Sequence, residues 1–166
     1  MPAAKKSGWE QRLTELLPLY GHRNWIVVAD SAYPAQAKPG IETIFTGCDQ
    51  LTAVRKVYDA ITESTHIRAN IYVDQELASV PEHDAAGVLD YRGQLERLFG
   101  ASMREIPHEQ IIARLDQAGQ VFRVLLLKTT LTIPYTSVFF ELDCGYWSAD
   151  AEARLRKALK SAKKKK

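Results

Sequence analysis

The chain has 166 residues, 46% hydrophobic and 25% charged, with 9 Gly, 7 Pro, 2 Cys and a net charge of +2. That length and composition predict one globular domain with a substantial core, and exclude disordered and collagen-like classes. The apolar runs are too short to span a membrane, and the basic N-terminus lacks the apolar stretch of a secretory signal.

In chain order, Ser7-Gly8-Trp9-Glu10 has capping-box spacing, and Leu13, Leu16, Leu17 and Tyr20 follow at helical intervals. This predicts a helix over roughly 9–20, ended by Gly21. Residues 24–30 form a β-rich apolar run, a buried strand ending at Asp30. Pro34, Pro39 and Gly40 mark a loop, and Ile41 to Thr46 reads as a second strand. Asp49 can cap a helix over roughly 50–63, whose stripe is Leu51, Val54, Val57, Tyr58 and Ile61. Ala69 to Asp74 is the next strand, and the acidic residues 76–86, punctuated by Pro81, form an exposed connection. Leu89, Leu95, Leu98 and Phe99 make a weaker helix interrupted by Gly93. Met103 to Ile106 is a short strand, and Pro107 opens a helix carrying Ile111, Ile112 and Leu115. Val121 to Leu127 is a continuous apolar run, Ser137 to Leu142 a final strand, and roughly 150–160 a last helix.

That helix leads into the basic end. Residues 154–166 hold eight cations and no acid, which leaves 14 cations against 20 acids, a net −6, over residues 1–153. A single domain over 1–153 with a basic C-terminal tail over 154–166 is therefore expected. The tail reads as a solvated end, with a nucleic-acid contact as the alternative; the acidic body argues against a nucleic-acid-binding domain. Cys48 and Cys144 are isolated and lack CxxC spacing, which suits reduced thiols in a cytoplasmic protein.

Strands alternating with helices imply a layered α/β domain with a largely parallel sheet, in which ligands sit at the carboxyl ends of strands. That rule points to Asp30 and the loop after it. No P-loop, GxGxxG, GxSxG or HExxH is present, and His22, His66, His83 and His108 lack metal-ligand spacing, so neither cofactor nor metal is expected.

Two stretches remain. In the first, Gly21-His22-Arg23-Asn24 precedes the apolar strand, and Asp30-Ser31-Ala32-Tyr33-Pro34 follows it. An extended six-residue strand spans ~20 Å, so His22 and Asp30 should not touch within one subunit. A shorter strand, a turn that folds back or a site shared between subunits would each resolve this. The second stretch is Lys128-Thr129-Thr130-Leu131, then Pro134-Tyr135-Thr136-Ser137, where a hydroxyl-rich turn places Tyr135 at a strand entrance.

Together these stretches resemble the RbsD/FucU family of ribose pyranases and fucose mutarotases. Members carry a helix, Gly-His, a short apolar strand and Ala-Asp-Ala-x-x-Pro, and residues 21–34 follow the part from Gly-His onward closely, with Ser31 at the second Ala. Near their end they carry Arg-Thr-Gly-Glu-x-x-x-Tyr-x-Asn before an apolar strand, the slot of residues 128–140 here. The resemblance covers roughly 9–145 and implies a three-layer α/β domain, with a mostly parallel mixed sheet flanked by helices. It implies His22 as acid/base with Asp30 and Tyr135 in support, and His108, Lys128, Ser137 and Tyr33 as sugar-binding residues. Trp25 or Tyr72 could also stack on the sugar.

The implied activity is anomer or ring-form exchange of a free monosaccharide. One group takes the anomeric hydroxyl proton while another protonates the ring oxygen, and no cofactor is needed. The family also implies homo-oligomers with sites near subunit interfaces. Lys128, Thr130, Leu131 and Ser137 stand where the family has Arg, Gly, Glu and Asn. These substitutions motivate the alternative of a non-catalytic sugar-binding module.

Overall fold

Among the described residues six strands form: β1 (Trp25–Ala29), β2 (Ile41–Phe45), β3 (Ile67–Asp74), β4 (Met103–Ile106), β5 (Val124–Lys128) and β6 (Val138–Cys144). Five helices connect and extend them: α1 (Gly8–Leu16), α2 (Gln50–Glu63), α3 (Val88–Phe99), α4 (His108–Val121) and α5 (Ala149–Lys163). The computed structural model describes residues 8–163, so the expected Ser7 cap and the last three lysines lie outside the described residues. Among the described residues no helix is long and apolar enough to cross a membrane.

The strands make one sheet in the order β2-β5-β1-β6-β3-β4. Only β6 runs against its neighbours, pairing antiparallel with both β1 and β3. β1 is central and wholly buried, and its side chains alternate between two cores. Ile26 and Val28 face α1, α2 and α3, together with Phe140 and Leu127. Trp25 and Val27 face α4, together with Phe139 and Leu126. Helices on both faces give the expected three layers.

Several boundaries differ from the sequence reading. α1 stops at Leu16 and a 3₁₀ turn follows over Leu17–Leu19, because Pro18 has no N–H to donate and disfavours helix before it. α3 runs unbroken through Gly93, since burial of Val88, Tyr91, Leu95 and Phe99 on one face outweighs a single glycine. The connection over 75–87 is not wholly exposed. It holds a 3₁₀ helix (Gln75–Ser79) that buries Leu77, and Val80 is buried after it. Within that connection the Glu82 carboxylate accepts from the Gly87 and Leu89 N–H groups, 2.6 and 3.0 Å, and so caps α3 from upstream. Val121 belongs to the end of α4 and is exposed, so only the later part of the apolar run is strand. The cationic residues 154–163 lie within α5, which buries none of its residues.

Cys48 and Cys144 are both free, one just beyond the carboxyl end of β2 and the other at the far end of the antiparallel β6. They therefore stand at opposite edges of the sheet, too far apart for a disulfide.

The carboxyl edge is fastened by a buried amide. Gln50, first residue of α2, donates through Nε2 to the Val28 and Thr136 carbonyls, both at 2.9 Å, and its Oε1 accepts from the Thr129 hydroxyl at 2.6 Å. The Tyr91 hydroxyl adds a bond to the Thr136 carbonyl at 2.5 Å. One side chain thus ties together the ends of β1, β5 and β6. Gln50→Leu should lower stability by about 2 kcal/mol, because it strands buried polar partners in a low-dielectric core. An unchanged denaturant midpoint would show that the amide does not fasten this edge.

Two histidine–aspartate pairs on opposite edges of the sheet

Strand register sets what stands along the carboxyl edge. Ala29 is level with Lys128 of β5, which is level with Phe45 of β2, while Val28 and Val73 are both level with Val138. One step further along this edge Ala29, Ser137 and Asp74 are level, and Asp30 follows one residue beyond Ala29. His108 follows β4 on the same edge and opens α4. Lys128 is half-buried at the end of β5, and Ser137 is buried at the entrance of β6.

The His108 backbone N–H donates to the Glu76 carboxylate, 3.0 Å to Oε2, and its ring Nδ1 lies 3.0 Å from Asp74 Oδ1. Asp74 is only 1% exposed, whereas the His108 side chain is a third exposed. With Asp74 ionised its carboxylate can only accept, so the proton of the neutral imidazole then sits on Nδ1 and Nε2 is left open. Tyr135 packs edge-on to this imidazole, with ring centroids 5.5 Å apart. Its backbone is left-handed, φ 59°, which costs a non-glycine residue on the order of 1 kcal/mol. The next residue holds it there: the Thr136 hydroxyl donates to the Ile133 carbonyl at 2.7 Å, and the Thr136 carbonyl accepts from Gln50 and Tyr91. Beside Tyr135 opens a cavity of about 490 Å³, also lined by Glu76, Val80 and Pro107.

Asp30 closes a tight turn, its Oδ1 accepting from the Ala32 N–H at 2.9 Å. Tyr33 is buried in the α4-side core. Burial, with the nearby charges of Asp74 and Asp30 adding to it, holds its phenol above the ordinary range. Trp25 and Tyr72 are likewise buried there, stacked at 6.0 Å.

His22 is at the other edge. The Asn24 side chain accepts from the Gly21 N–H at 2.8 Å, Asn24 N–H returns to the Gly21 carbonyl, and Arg23 is left-handed with φ 75°. This turn projects His22 toward the end of β6, where its Nδ1 lies 2.9 Å from Asp143 Oδ1. Asp143 also accepts from Arg68 and from the Cys144 N–H, at 2.9 and 2.8 Å. Partial burial pushes the Asp143 carboxyl up, but the hydrogen bonds from Arg68, Cys144 and His22 outweigh it and hold the group below its ordinary value. The ionised carboxylate keeps the neutral-imidazole proton on Nδ1 and leaves Nε2 open.

The sequence-predicted residues therefore divide. Asp30, Tyr135, His108, Lys128, Ser137 and Tyr33 gather at the carboxyl edge, and His22 stands alone at the opposite one, across the whole of β1, ~16 Å or more. Of the other histidines, His66 binds the Leu17 and Tyr20 carbonyls and secures the turn after α1, while His83 sits exposed beside Asp84. Sequence reasoning missed Asp74 and Asp143, the partners of both imidazoles. Asp74 carried a usable signal, since it ends an apolar strand as Asp30 does.

Burial pushes the Asp74 carboxyl above its ordinary value of 3.8, with the His108 hydrogen bond opposing. The folded protein then keeps a proton that the unfolded chain has released, so ionising Asp74 costs stability as pH rises above 3.8 toward the folded value. Asp74→Asn escapes this cost. Its stability relative to wild type should increase with pH across that window in denaturant unfolding, and a difference flat with pH would contradict it.

Comparison with known proteins bears on the fold and the family. No curated protein matches the chain in sequence. RbsD of Bacillus subtilis, solved with D-ribose, superposes with a TM-score of 0.58 at 16% identity, covering 84% of this chain and 97% of that one. The fucose mutarotase of Streptococcus pneumoniae, solved with L-fucose, gives 0.52 at 14% identity over 86% and 96%. FucU of Bifidobacterium longum gives 0.51 at 16% identity over 80% and 94%. These likenesses establish the fold. Residues 5–142 match the RbsD / FucU transport protein family, and the chain belongs to that family.

Proposed function

We propose that the protein is a cytoplasmic, homo-oligomeric sugar mutarotase or pyranase, whose site forms where the His22 edge of one subunit meets the carboxyl edge of another. The observation that carries this reading is the His22–Asp143 pair: an imidazole with its tautomer fixed and Nε2 open, separated by a full strand from Asp30, His108 and Tyr135. A second subunit is the simplest way to bring the two groups together. The sugars held by the Bacillus and Streptococcus relatives support a monosaccharide as substrate.

In this reading His22 Nε2 removes the proton from the anomeric hydroxyl. The bond between the anomeric carbon and the ring oxygen breaks, and the ring oxygen takes a proton from the Tyr135–His108 side. The open aldehyde turns and recloses on its other face, or through a different hydroxyl. Asp30 and Lys128 hold sugar hydroxyls, and the buried Ser137, level with Asp74, belongs to the floor.

A non-catalytic sugar-binding module is the second reading. It is favoured by the loop after β5, where the Thr129 and Thr130 hydroxyls bond to Gln50 and to the Cys48 carbonyl, and so serve the fold.

The His22 side chain is 61% exposed, so His22→Ala should fold normally while losing ~10²–10⁴-fold in anomeric exchange. His108→Ala should be similarly impaired. Mixing the two inactive variants under conditions that exchange subunits should restore about a quarter of the sites, because each variant supplies the group the other lacks. Activity that fails to reappear would sink the shared site, and full activity in His22→Ala would sink the mechanism.

A further inference from the structure

The matched family span ends at residue 142, yet the chain continues into a turn and α5 that wall in His22. The extension is held firmly to the sheet. Gly145 N–H donates to the His66 carbonyl at 3.0 Å, and a Cβ at Gly145 would come within 2.8 Å of the Ile67 backbone, so only glycine fits this approach. Between the extension and the sheet edge lies a cavity of about 640 Å³. His22, Arg68 and Asp143 line one side, and Trp147, Glu152 and Arg156 line the other. Trp147 is 44% exposed and anchored: its Nε1–H donates to Glu152 Oε2 at 2.8 Å, and Glu152 Oε1 accepts from Arg156 at 2.6 Å.

We infer that Trp147 is a specificity-determining residue: a fixed aromatic platform for the C–H face of a neutral monosaccharide whose anomeric end reaches His22. This rests on the proposed mutarotase or pyranase reading. An indole of fixed orientation beside hydrogen-bonding side chains in one concavity suits a ligand with an apolar face and a rim of hydroxyls. The charge balance selects a neutral sugar. Arg68 already faces Asp143 and Arg156 already faces Glu152, so each guanidinium lining the cavity has a carboxylate partner in place of a phosphate. At the carboxyl edge the acidic Asp30, Asp74 and Glu76 outnumber Lys128, which disfavours a phosphorylated substrate.

The test uses the full chain and its Trp147→Ala and Trp147→Phe variants. Anomeric exchange by NMR and binding by calorimetry are measured with D-ribose, L-fucose, D-galactose and D-ribose 5-phosphate. Trp147→Ala should raise KM about tenfold with kcat little changed, and Trp147→Phe should retain most of the affinity. The phenylalanine variant keeps the ring but loses the bond to Glu152. If it falls with the alanine variant, the indole acts only as an anchor for α5 and the inference is overturned. Wild-type exchange with an unchanged KM in Trp147→Ala overturns the platform and leaves the mutarotase reading standing. Sugar binding lost in Trp147→Ala, without exchange in wild type, keeps the platform and overturns that reading. Binding of none of the sugars overturns both, and tighter binding of the 5-phosphate than of D-ribose overturns the preference for a neutral substrate.

Discussion

Five buried, extended residues decide most of what this molecule can do. β1 is the central strand, parallel to β5 on one side and antiparallel to β6 on the other. Its side chains supply both cores, so the strand can neither shorten nor bend without opening them. That rigidity keeps His22 and Asp30 apart at opposite edges. Each edge then develops its own histidine–aspartate pair, His22 with Asp143 and His108 with Asp74. A ring-opening reaction needs a proton acceptor and a proton donor on opposite sides of one sugar. In the proposed reading the two pairs fill these roles, and subunit assembly would bring them together.

The two pairs are not equivalent. Asp143 receives three hydrogen bonds at a partly open edge and is held as a carboxylate. Asp74 is buried, and desolvation works against its charge. The two imidazoles therefore meet carboxyl groups of different character. This is one physical route by which a single site can hold an acid and a base at the same pH. The left-handed Tyr135 and Arg23 flank the two histidines, so local backbone strain falls beside both imidazoles. At the carboxyl edge the Gln50 network compensates for it.

Much of this was legible in the sequence because the governing signals are local. The continuous run at β1, the Asp49 cap of α2 and the Pro107 start of α4 each carry their own chemistry. The errors arose where long-range packing overrode a local signal. Gly93 did not break α3, because the buried face of that helix was stronger than one glycine's preference. Val121 looked like the start of a strand, and only packing reveals it as an exposed helix end. For the site, spacing along β1 correctly implied that His22 and Asp30 could not meet in one subunit. The pairing of the histidines with their partners was not legible, since Asp74 and Asp143 lie 34 and 121 residues away in sequence and meet them only through the sheet, although Asp74 was marked by its place at the end of an apolar strand. Trp147 had no signal at all, because its meaning depends on a cavity closed by the helix after β6.

The most direct test of the account is saturation transfer between the anomeric proton resonances of free monosaccharides, with and without the protein. The account predicts accelerated exchange on at least one neutral sugar among ribose, fucose, galactose and glucose. No acceleration on any of them, at protein concentrations where binding is detectable, would contradict catalysis and leave a sugar-binding module built on the same fold.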